Sequence, residues 1–380
     1  MQKNSKWSAL PVFFGFFIMG FADVVGISTN YVKQDFGLSD SVSNLLPMMV
    51  FLWFAVFSVP TGLLMNKIGR KKTVLLSIVI TFVGLLIPLI EYRFSMVLLA
   101  FALLGIGNTI IQVSLNPLLT NIINSERLTS SLTFGQFIKA IASFFGPIIA
   151  GIASSALGNW KMMFPFFAAI TLISGLWLLF TPIKPEKRSL ETTSFSQCFS
   201  LLKDPVILTF FVAIFIMVGV DVGLNTTLPR FVIERAGLEL EKAGLATSLY
   251  FAARIVGSLV GAIVLVKFSG KKFYVGSMIV GVFAMTLMIF VTNIWGISLL
   301  IFCMGFTIAN VFSIIFSAAL KRLPEEANEL SGLLIMGVAG GAIVPPIMGL
   351  VSDSFGQIGA MVILLFSMIY LLVNSLRMKA

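Results

Sequence analysis

The sequence predicts an all-α membrane protein of twelve transmembrane helices, built as two halves of six. Three observations lead to this fold class. The 380 residues are 58% hydrophobic and only 11% charged, with a mean hydropathy of +1.03. Apolar stretches of about 20 residues, long enough to cross a bilayer, recur along the whole chain. Short sequence patterns in the first half also recur about 200 residues later.

Each predicted span is an apolar stretch that ends at polar residues. The first six lie at 8–32, 42–65, 73–91, 95–123, 128–156 and 162–181. A polar stretch over 184–197 interrupts the pattern. Six further spans lie at 206–233, 242–268, 273–292, 295–320, 329–352 and 357–376. We therefore predict an N-terminal half over 1–183, a cytoplasmic linker over 184–204 and a C-terminal half over 205–380.

The basic residues are divided unevenly between the two predicted sides of the membrane. With both termini inside, the cytoplasmic segments hold 18 Lys and Arg residues and the outer loops hold six. An excess of basic residues in cytoplasmic loops is the usual signal of orientation. The pattern predicts a multi-pass protein of a bacterial inner membrane with both termini cytoplasmic. It also accounts for the net charge of +10 without a nucleic-acid partner.

Several chemistries are excluded by composition. The chain has no His, which rules out His-based proton relays, Ser-His-Asp hydrolysis and His-ligated metal sites. Cys198 and Cys303 match no metal or redox spacing. We therefore expect no enzyme activity, no metal and no cofactor beyond a coupling ion. The expected partners are the lipid bilayer and a small-molecule substrate, and we expect a monomer.

The two halves of the chain repeat each other. Asp23 lies in FFIMGFADVVGIS and Asp221 in IFIMVGVDVGLNTT, and the lysine pair 71–72 matches the pair 271–272. A parallel repeat of six spans is typical of paired transporter halves, whose substrate site lies near the middle of the membrane. The repeat therefore predicts a transporter.

Four charged residues lie inside predicted spans: Asp23, Lys139, Asp221 and Arg254. A charge at this depth costs about 2.5–3.5 kcal/mol and is usually functional. The simplest arrangement is one acid–base pair in each half, Asp23 with Lys139 and Asp221 with Arg254. In one interpretation the acids handle a coupling ion and the cations gate or neutralise them. In the other, both pairs only orient helices; Lys139 and Arg254 could also bind an acidic sugar.

A sequence motif joins predicted spans 2 and 3. The segment GLLMNKIGRKK resembles the signature loop of the major facilitator superfamily, with Asn66 in place of the usual Asp. Gly62 would permit close helix approach, and Gly69 keeps the motif's second glycine. Arg70 and Lys71 belong to a basic cluster expected to bind the ends of neighbouring helices and the negative membrane surface.

Three further segments resemble the fucose and glucose/galactose permease group of that superfamily. They are GIGNTIIQVSLNPLLTNI at 105–122, SLYFAARIVGSLVGA at 248–262 and SGLLIMGVAGGAIVPPIMGLVSDSFG at 331–356. The resemblance implies a sugar transporter that works by alternating access and is coupled to H⁺ or Na⁺. The alternatives are a carrier of an acidic sugar or other small organic anion, and a drug or metabolite exporter of the same fold.

The resemblance is weaker at the charged positions. The fucose permease carries its span-1 acid at the position of Gly26, and Gln112 replaces its span-4 acid, as in hexose members of the group. Its span-8 Arg aligns with Ser258, whereas this chain has Arg254 one turn earlier. Asp221 lies where glucose/galactose members also carry an acid. The fold is therefore implied more strongly than the coupling residues.

Polar side chains on apolar spans are the candidates for substrate binding. Asn108, Gln112 and Asn116 are spaced four residues apart and share one helix face. Their amides can form paired hydrogen bonds with sugar hydroxyls, or can simply join helices. The further amide candidates are Asn225, Gln136, Asn310 and Asn44, and Trp53 and Tyr250 are candidates for stacking on a sugar ring.

Overall fold

A computed structural model describes residues 8–38, 42, 45–185, 195–237 and 240–378 of the chain. In these ranges the backbone forms helices joined by turns and short irregular segments, without a strand. The predicted candidate Asn44 lies outside them.

The helices before the linker follow the predicted spans closely. They are α1 (Ala9–Met19), α2 (Val25–Phe36), α3 (Leu45–Ile68), α4 (Arg70–Ile90), α5 (Phe94–Thr120), α6 (Leu128–Leu157) and α7 (Met163–Phe180). A 3₁₀ segment over Gly20–Val24 joins α1 to α2. Two further 3₁₀ segments, Ser125–Arg127 and Trp160–Met162, precede α6 and α7.

The first of the remaining helices lies in the predicted linker, and the others follow it. They are α8 (Phe195–Ser200), α9 (Pro205–Ala236), α10 (Leu240–Val264), α11 (Gly270–Phe290), α12 (Ile294–Ile308), α13 (Val311–Arg322), α14 (Ala327–Met336) and α15 (Gly340–Arg377). The 3₁₀ segments are Leu201–Lys203 and Gly337–Ala339. Helix α15 is interrupted at Gly356, whose φ of 64° and ψ of −170° separate the last two predicted spans.

Within the described ranges, eleven helices are long and apolar enough to cross a membrane, and the shorter apolar helix Ala9–Val24 stands at the first predicted span. That span is divided by its 3₁₀ segment, which tightens the backbone and shortens the run of α-helix. The tenth predicted span is divided by a turn at Ala309 and Asn310, between α12 and α13. The eleventh is divided by the 3₁₀ segment Gly337–Ala339, between α14 and α15. The predicted twelve-span fold class is confirmed, and the continuity of these three spans is corrected.

Two compact units can be distinguished. The first contains residues 1–128, 138–201 and 323–336, and the second contains 129–137, 202–322 and 337–380. Each unit therefore takes one short segment from the other side of the predicted linker. The division into halves at 1–183 and 205–380 stays a prediction.

The sequence repeat has a structural counterpart inside each unit. In the first unit a Cβ on Gly105 of α5 would lie 2.5 Å from the Val50 carbonyl oxygen of α3. In the second unit a Cβ on Gly305 of α12 would lie 2.5 Å from the Tyr250 carbonyl oxygen of α10. Only glycine permits such a backbone contact. Helices α4 and α11 also start 200 residues apart, and each has 21 residues.

Candidate functional site

The second unit contains an acid–base cluster on two consecutive predicted spans. Arg254 Nη1 of α10 lies 2.6 Å from Asp221 Oδ2 and 2.7 Å from Asp221 Oδ1 of α9. The hydroxyl of Tyr250, one turn before Arg254, donates to Asp221 Oδ1 at 2.7 Å. The side chains of Arg254 and Asp221 are 23% and 16% exposed. The predicted contact between Asp221 and Arg254 is therefore present, and Tyr250 holds the carboxylate in place.

Tyr250 differs from its predicted use as a stacking surface. Its side chain is fully buried, so its ring presents no free face. The Arg254 guanidinium lies 6.0 Å from the ring centroid, at the edge of cation–π range. The hydroxyl of Tyr250 thus binds Asp221, and its ring packs in the protein interior.

The first unit places Asp23 differently from its repeat partner. Asp23 lies in the 3₁₀ segment that divides the first span, and Ser143 Oγ of α6 donates to its Oδ2 at 2.5 Å. Lys139 and Asp23 are not among the ion pairs of 4.0 Å or less that the described residues form. The expected Asp23–Lys139 pair is therefore wrong for this structure.

Close helix packing explains the different partner. A Cβ on Gly20 would lie 2.7 Å from the Lys139 carbonyl oxygen and 2.6 Å from Ala142 Cβ. The two backbones are thus nearly in contact beside Asp23. At that separation the short hydroxyl of Ser143, one turn after Lys139, reaches the carboxylate directly. The same hydroxyl lies 3.0 Å from the Lys139 carbonyl oxygen.

The predicted amide stripe on α5 forms a connected series of hydrogen bonds inside the first unit. Asn108 Nδ2 donates to the Met19 carbonyl oxygen at 2.7 Å, next to the 3₁₀ segment of Asp23. Gln112 Nε2 donates to Asn108 Oδ1 at 2.6 Å, and Asn116 Nδ2 donates to the Gln112 carbonyl oxygen at 2.7 Å. All three residues are buried. The stripe therefore joins α5 to the divided first span.

Some of the candidate side chains carry a buried polar atom that has no partner in the described part of the chain. These atoms are Asn116 Oδ1, Asn225 Oδ1, Asn310 Oδ1 and Trp53 Nε1. Leaving such a group unpaired costs about 1–3 kcal/mol, so it usually meets water or a ligand. Trp53 packs edge-on against Phe57, with ring centroids 5.7 Å apart.

Asn310 stands at the division between α12 and α13. Its Nδ2 donates to the Gly257 carbonyl oxygen of α10 at 2.9 Å, and its Oδ1 would lie 2.1 Å from a Cβ on Gly261. The two glycines form a groove on α10 that Ala309 and Asn310 of the neighbouring span enter.

The candidate Gln136 is half-buried on α6. Its side chain makes no hydrogen bond within the described ranges.

The motif between α3 and α4 connects several helix ends of the first unit. Arg70 Nη1 contacts the Pro117 carbonyl oxygen at 3.1 Å, Thr120 Oγ1 at 2.8 Å and Asn121 Oδ1 at 2.6 Å, all at the end of α5. Lys71 Nζ donates to the carbonyl oxygens of Leu179 and Thr181 at 2.9 and 2.8 Å. These are the carbonyl-rich ends of α5 and α7, which favour a cation.

The other motif residues set the geometry around α14. A Cβ on Gly62 would lie 2.7 Å from the Asn328 carbonyl oxygen, and Gly69 begins α4 with a φ of 87°. Asn66 Nδ2 donates to a Glu329 carboxylate oxygen, and Asn328 Nδ2 donates to Asn66 Oδ1 at 2.6 Å. The motif therefore holds α14 against α3 within the first unit.

The sequence over residues 12–332 matches the family model of the Major Facilitator Superfamily. The chain belongs to this superfamily. Its members are transporters and not enzymes, and the family predicted from the signature motif is confirmed. A glucose/galactose transporter of Brucella abortus is 25% identical over 374 residues, which cover 93% of this chain and 90% of the relative. An L-fucose-proton symporter of Haemophilus influenzae is 22% identical, over 89% of this chain and 87% of the relative.

Solved structures of the superfamily have the same fold. The E. coli fucose:proton symporter FucP superposes with a TM-score of 0.86 at 17% identity, with full coverage of both chains. A second structure of FucP, in the outward conformation, gives a TM-score of 0.83 at 18% identity, over 99% of this chain and 100% of that one. At this identity the likeness shows the fold alone.

Three residues of the site were not predicted from the superfamily motifs. Ser143 is the hydroxyl partner of Asp23, and Asn328 and Glu329 are the partners of Asn66. A small polar residue one turn after Lys139 was the only signal for Ser143. The acid at the start of predicted span 11 was a signal for Glu329, because Asn66 had lost the usual charge of the motif.

Proposed function

We propose that the chain is a secondary active transporter that moves a sugar or sugar derivative by alternating access, coupled to H⁺ or Na⁺. The observation that carries this proposal is the set of buried, unpaired polar atoms on Asn116, Asn225, Asn310 and Trp53 in the described ranges. Sugar hydroxyls can donate to amide oxygens and accept from an indole N–H. The names of the relatives, a glucose/galactose transporter and an L-fucose-proton symporter, support the same substrate class.

The two intramembrane acids suit different parts of a coupling cycle. Protonation of Asp221 would neutralise the partner of Arg254 and free the guanidinium to move. Asp23 meets a hydroxyl, so it can exchange a cation without breaking an ion pair among the described residues. We therefore assign ion exchange to Asp23 and Asp221, and a gating role to Arg254. Proton coupling is favoured over Na⁺ by the name of the fucose relative.

A second candidate substrate is an acidic sugar. Lys139 has no acid within 4.0 Å among the described residues, and it is only half-buried. An ammonium group at membrane depth is costly unless it is paired, and a substrate carboxylate would supply the missing charge. In this variant Lys139 binds the substrate, while the amides bind its hydroxyls.

Flux through purified protein in liposomes tests both candidates. Labelled glucose, galactose, fucose and a uronic acid are offered with an inward H⁺ gradient or an inward Na⁺ gradient. The proposal expects accumulation of at least one sugar under one gradient. The variant Asp221→Asn should lower gradient-driven accumulation about tenfold or more, whereas sugar counterflow without a gradient should persist.

The matched control is Asp204→Asn, which removes an acid outside the spans and should leave accumulation unchanged. A Lys139→Gln variant that loses only uronic acid flux would favour the acidic sugar. Outward gradients test the opposite direction, because one relative from Haemophilus influenzae is named a probable sugar efflux transporter, at 23% identity. If no sugar moves in either direction under either gradient, the proposal is wrong.

A further inference from the structure

A cavity of about 480 Å³ lies within the second unit, between the start of α11 and the end of α13. Its volume falls in the range of about 300–1,000 Å³ that is common for ligand pockets. Lys271, Lys321 and Arg322 bring positive charge to it. None of these residues takes part in the candidate transport site described above.

The internal repeat shows why the cavity exists. Helices α4 and α11 both start a span and are 200 residues apart, so Gly270 stands where the first unit has Arg70. The Arg70 guanidinium fills the corresponding space and donates to the Pro117 carbonyl oxygen and to Asn121 Oδ1. Replacement of Arg by Gly removes the side chain that would occupy the cavity.

One of the acceptors has also been replaced. By the same offset of 200 residues, Pro117 corresponds to Ser317 and Asn121 to Lys321, and both of these residues line the cavity. The backbone carbonyl of Pro117 has an equivalent at Ser317, but the side-chain acceptor Asn121 is replaced by a cation. The second unit therefore has positive charge where the first unit has an amide oxygen that accepts from Arg70.

Among the described residues, Lys271 and Lys321 have no protein partner that would neutralise them. In the first unit Lys71 donates to the carbonyl oxygens of Leu179 and Thr181, but in the described ranges neither its counterpart Lys271 nor Lys321 makes a hydrogen bond or an ion pair. Both line the cavity.

Arg322 differs from the two lysines, because Asp204 lies 2.9 Å from its Nη2. Burial alone would raise the pKa of the Asp204 carboxyl, but hydrogen bonds from Arg322 and the Val206 amide, with the charge of Arg322, hold it below its usual value. Asp204 is therefore ionised at neutral pH and neutralises Arg322, which leaves the charge of the two lysines in excess.

Apolar side chains form the rest of the cavity wall. Val206, Phe210, Ile314 and Met378 line it beside the basic residues. A free phosphate ion would gain nothing from them, whereas the glycerol and upper acyl region of a lipid would be desolvated there. Gly270 is the first residue of a helix long and apolar enough to cross a membrane, so we expect the cavity at headgroup depth.

We propose that this cavity binds the phosphate group of an anionic phospholipid between Lys271 and Lys321. Basic pockets between transmembrane helices are known to bind lipid headgroups in this way. The Ser269 hydroxyl is a further donor, because Ser269 precedes α11 without forming a side-chain cap. Lipid binding in this cavity does not depend on which substrate the protein transports.

Binding of short-chain lipids to the purified full chain in a neutral detergent tests the proposal. Dihexanoyl phosphatidylglycerol, dihexanoyl phosphatidylcholine and inorganic phosphate are titrated separately, and the midpoint of thermal unfolding is recorded. The anionic lipid should raise the midpoint with saturation. The variant Lys271→Gln/Lys321→Gln should weaken this apparent affinity about 25-fold, about fivefold for each lysine.

The matched control is Lys267→Gln/Lys272→Gln, which removes the same charge from exposed positions around the start of α11 that do not line the cavity. It should bind the anionic lipid as the unmodified chain does. Equal binding by the Lys271→Gln/Lys321→Gln variant would overturn the site. Equal binding of phosphatidylcholine would overturn the role of charge, and equal binding of inorganic phosphate would overturn the lipid as the source of the phosphate.

Discussion

Asn66 is the residue through which the signature motif holds α14. Its amide uses both ends, with Nδ2 donating to the Glu329 carboxylate and Oδ1 accepting from Asn328. Glu329 is only 7% exposed, so its charge depends on such donors. A carboxylate at position 66 could accept but not donate. The Asn at this position therefore matches an acid on the opposite helix.

We expect Asn66→Asp to lower the free energy of unfolding by about 1.5–3 kcal/mol, the usual contribution of a hydrogen bond to a charged group. It would also place two carboxylates together. The double variant Asn66→Asp/Glu329→Gln should recover most of the loss, because the Gln amide can donate to the new carboxylate. Thermal unfolding in detergent measures both effects.

The control is Asn293→Asp, since Asn293 caps α12 through its side-chain oxygen and Asp caps equally well. Its midpoint should not change. A double variant no more stable than Asn66→Asp alone would mean that the two side chains are not directly coupled.

The acids of the two halves show how far single residues can be predicted. Asp221 and Arg254 lie one helix apart in an unbroken α9 and α10, so spacing predicts their contact. Asp23 lies in a 3₁₀ segment, where side-chain directions differ from those of an α-helix. The backbone of this segment at Gly20 is also nearly in contact with the backbone of α6 at Lys139. The partner of Asp23, Ser143, therefore depends on local geometry that spacing does not encode.

At the scale of elements, α3 and α14 pack through a reciprocal pair of glycines. A Cβ on Gly62 would lie 2.7 Å from the Asn328 carbonyl oxygen, and one on Gly332 would lie 2.7 Å from the Ser58 carbonyl oxygen. Both obstacles are backbone atoms, which cannot rotate away. The two helices must therefore separate before either position can accept a side chain.

We expect Gly62→Ala and Gly332→Ala each to destabilise the protein by about 1–3 kcal/mol, the usual cost of overpacking. Gly151→Ala and Gly276→Ala are the controls, because both are helical and a Cβ there meets nothing within 4 Å. These two should leave stability unchanged or raise it, since Ala favours a helix by about 1 kcal/mol over Gly. Thermal unfolding and elution as a single species distinguish the groups. If all four behave alike, close packing of α3 and α14 is not limiting.

The elements themselves could largely be predicted, since hydropathy sets their lengths and Lys and Gly residues mark their ends. The divisions inside spans 1 and 10 could not, because FADVV and FTIAN contain no proline and read as continuous apolar helix. The turn at Ala309 and Asn310 depends instead on the groove of Gly257 and Gly261 on another helix. Such tertiary contacts override local propensity.

At the scale of the whole molecule, the repeat is what made the fold predictable. Equivalent glycines, Gly105 and Gly305, form equivalent backbone contacts in the two units. The units nevertheless differ where the motif Arg70 is replaced by Gly270, and one has a filled interhelical space while the other has a cavity. The short segments 129–137 and 323–336 also group away from their own halves, which a repeat in sequence cannot indicate.

Orientation in the membrane is the remaining whole-molecule prediction, and the ends of α11 test it. This helix has 21 residues, about 32 Å at 1.5 Å per residue, so exposed positions just outside its ends lie on opposite sides of the bilayer. In a Cys198→Ala/Cys303→Ala background, a membrane-impermeant maleimide should label Thr292→Cys in intact cells. Lys267→Cys should be labelled only after permeabilisation, because the basic loops are predicted to be cytoplasmic.

The native Cys198 provides a control in a separate variant, Cys303→Ala, which keeps it as the only cysteine. It is fully buried, and burial together with the charge of Glu329 raises the pKa of its thiol to about 11. Since the thiolate is the reactive form, Cys198 should resist the reagent even in permeabilised cells. The reversed pattern, with position 267 labelled in intact cells and position 292 protected, would place both termini outside. That result would contradict the orientation while leaving the helices unchanged, because orientation follows loop charge and the helices follow hydropathy.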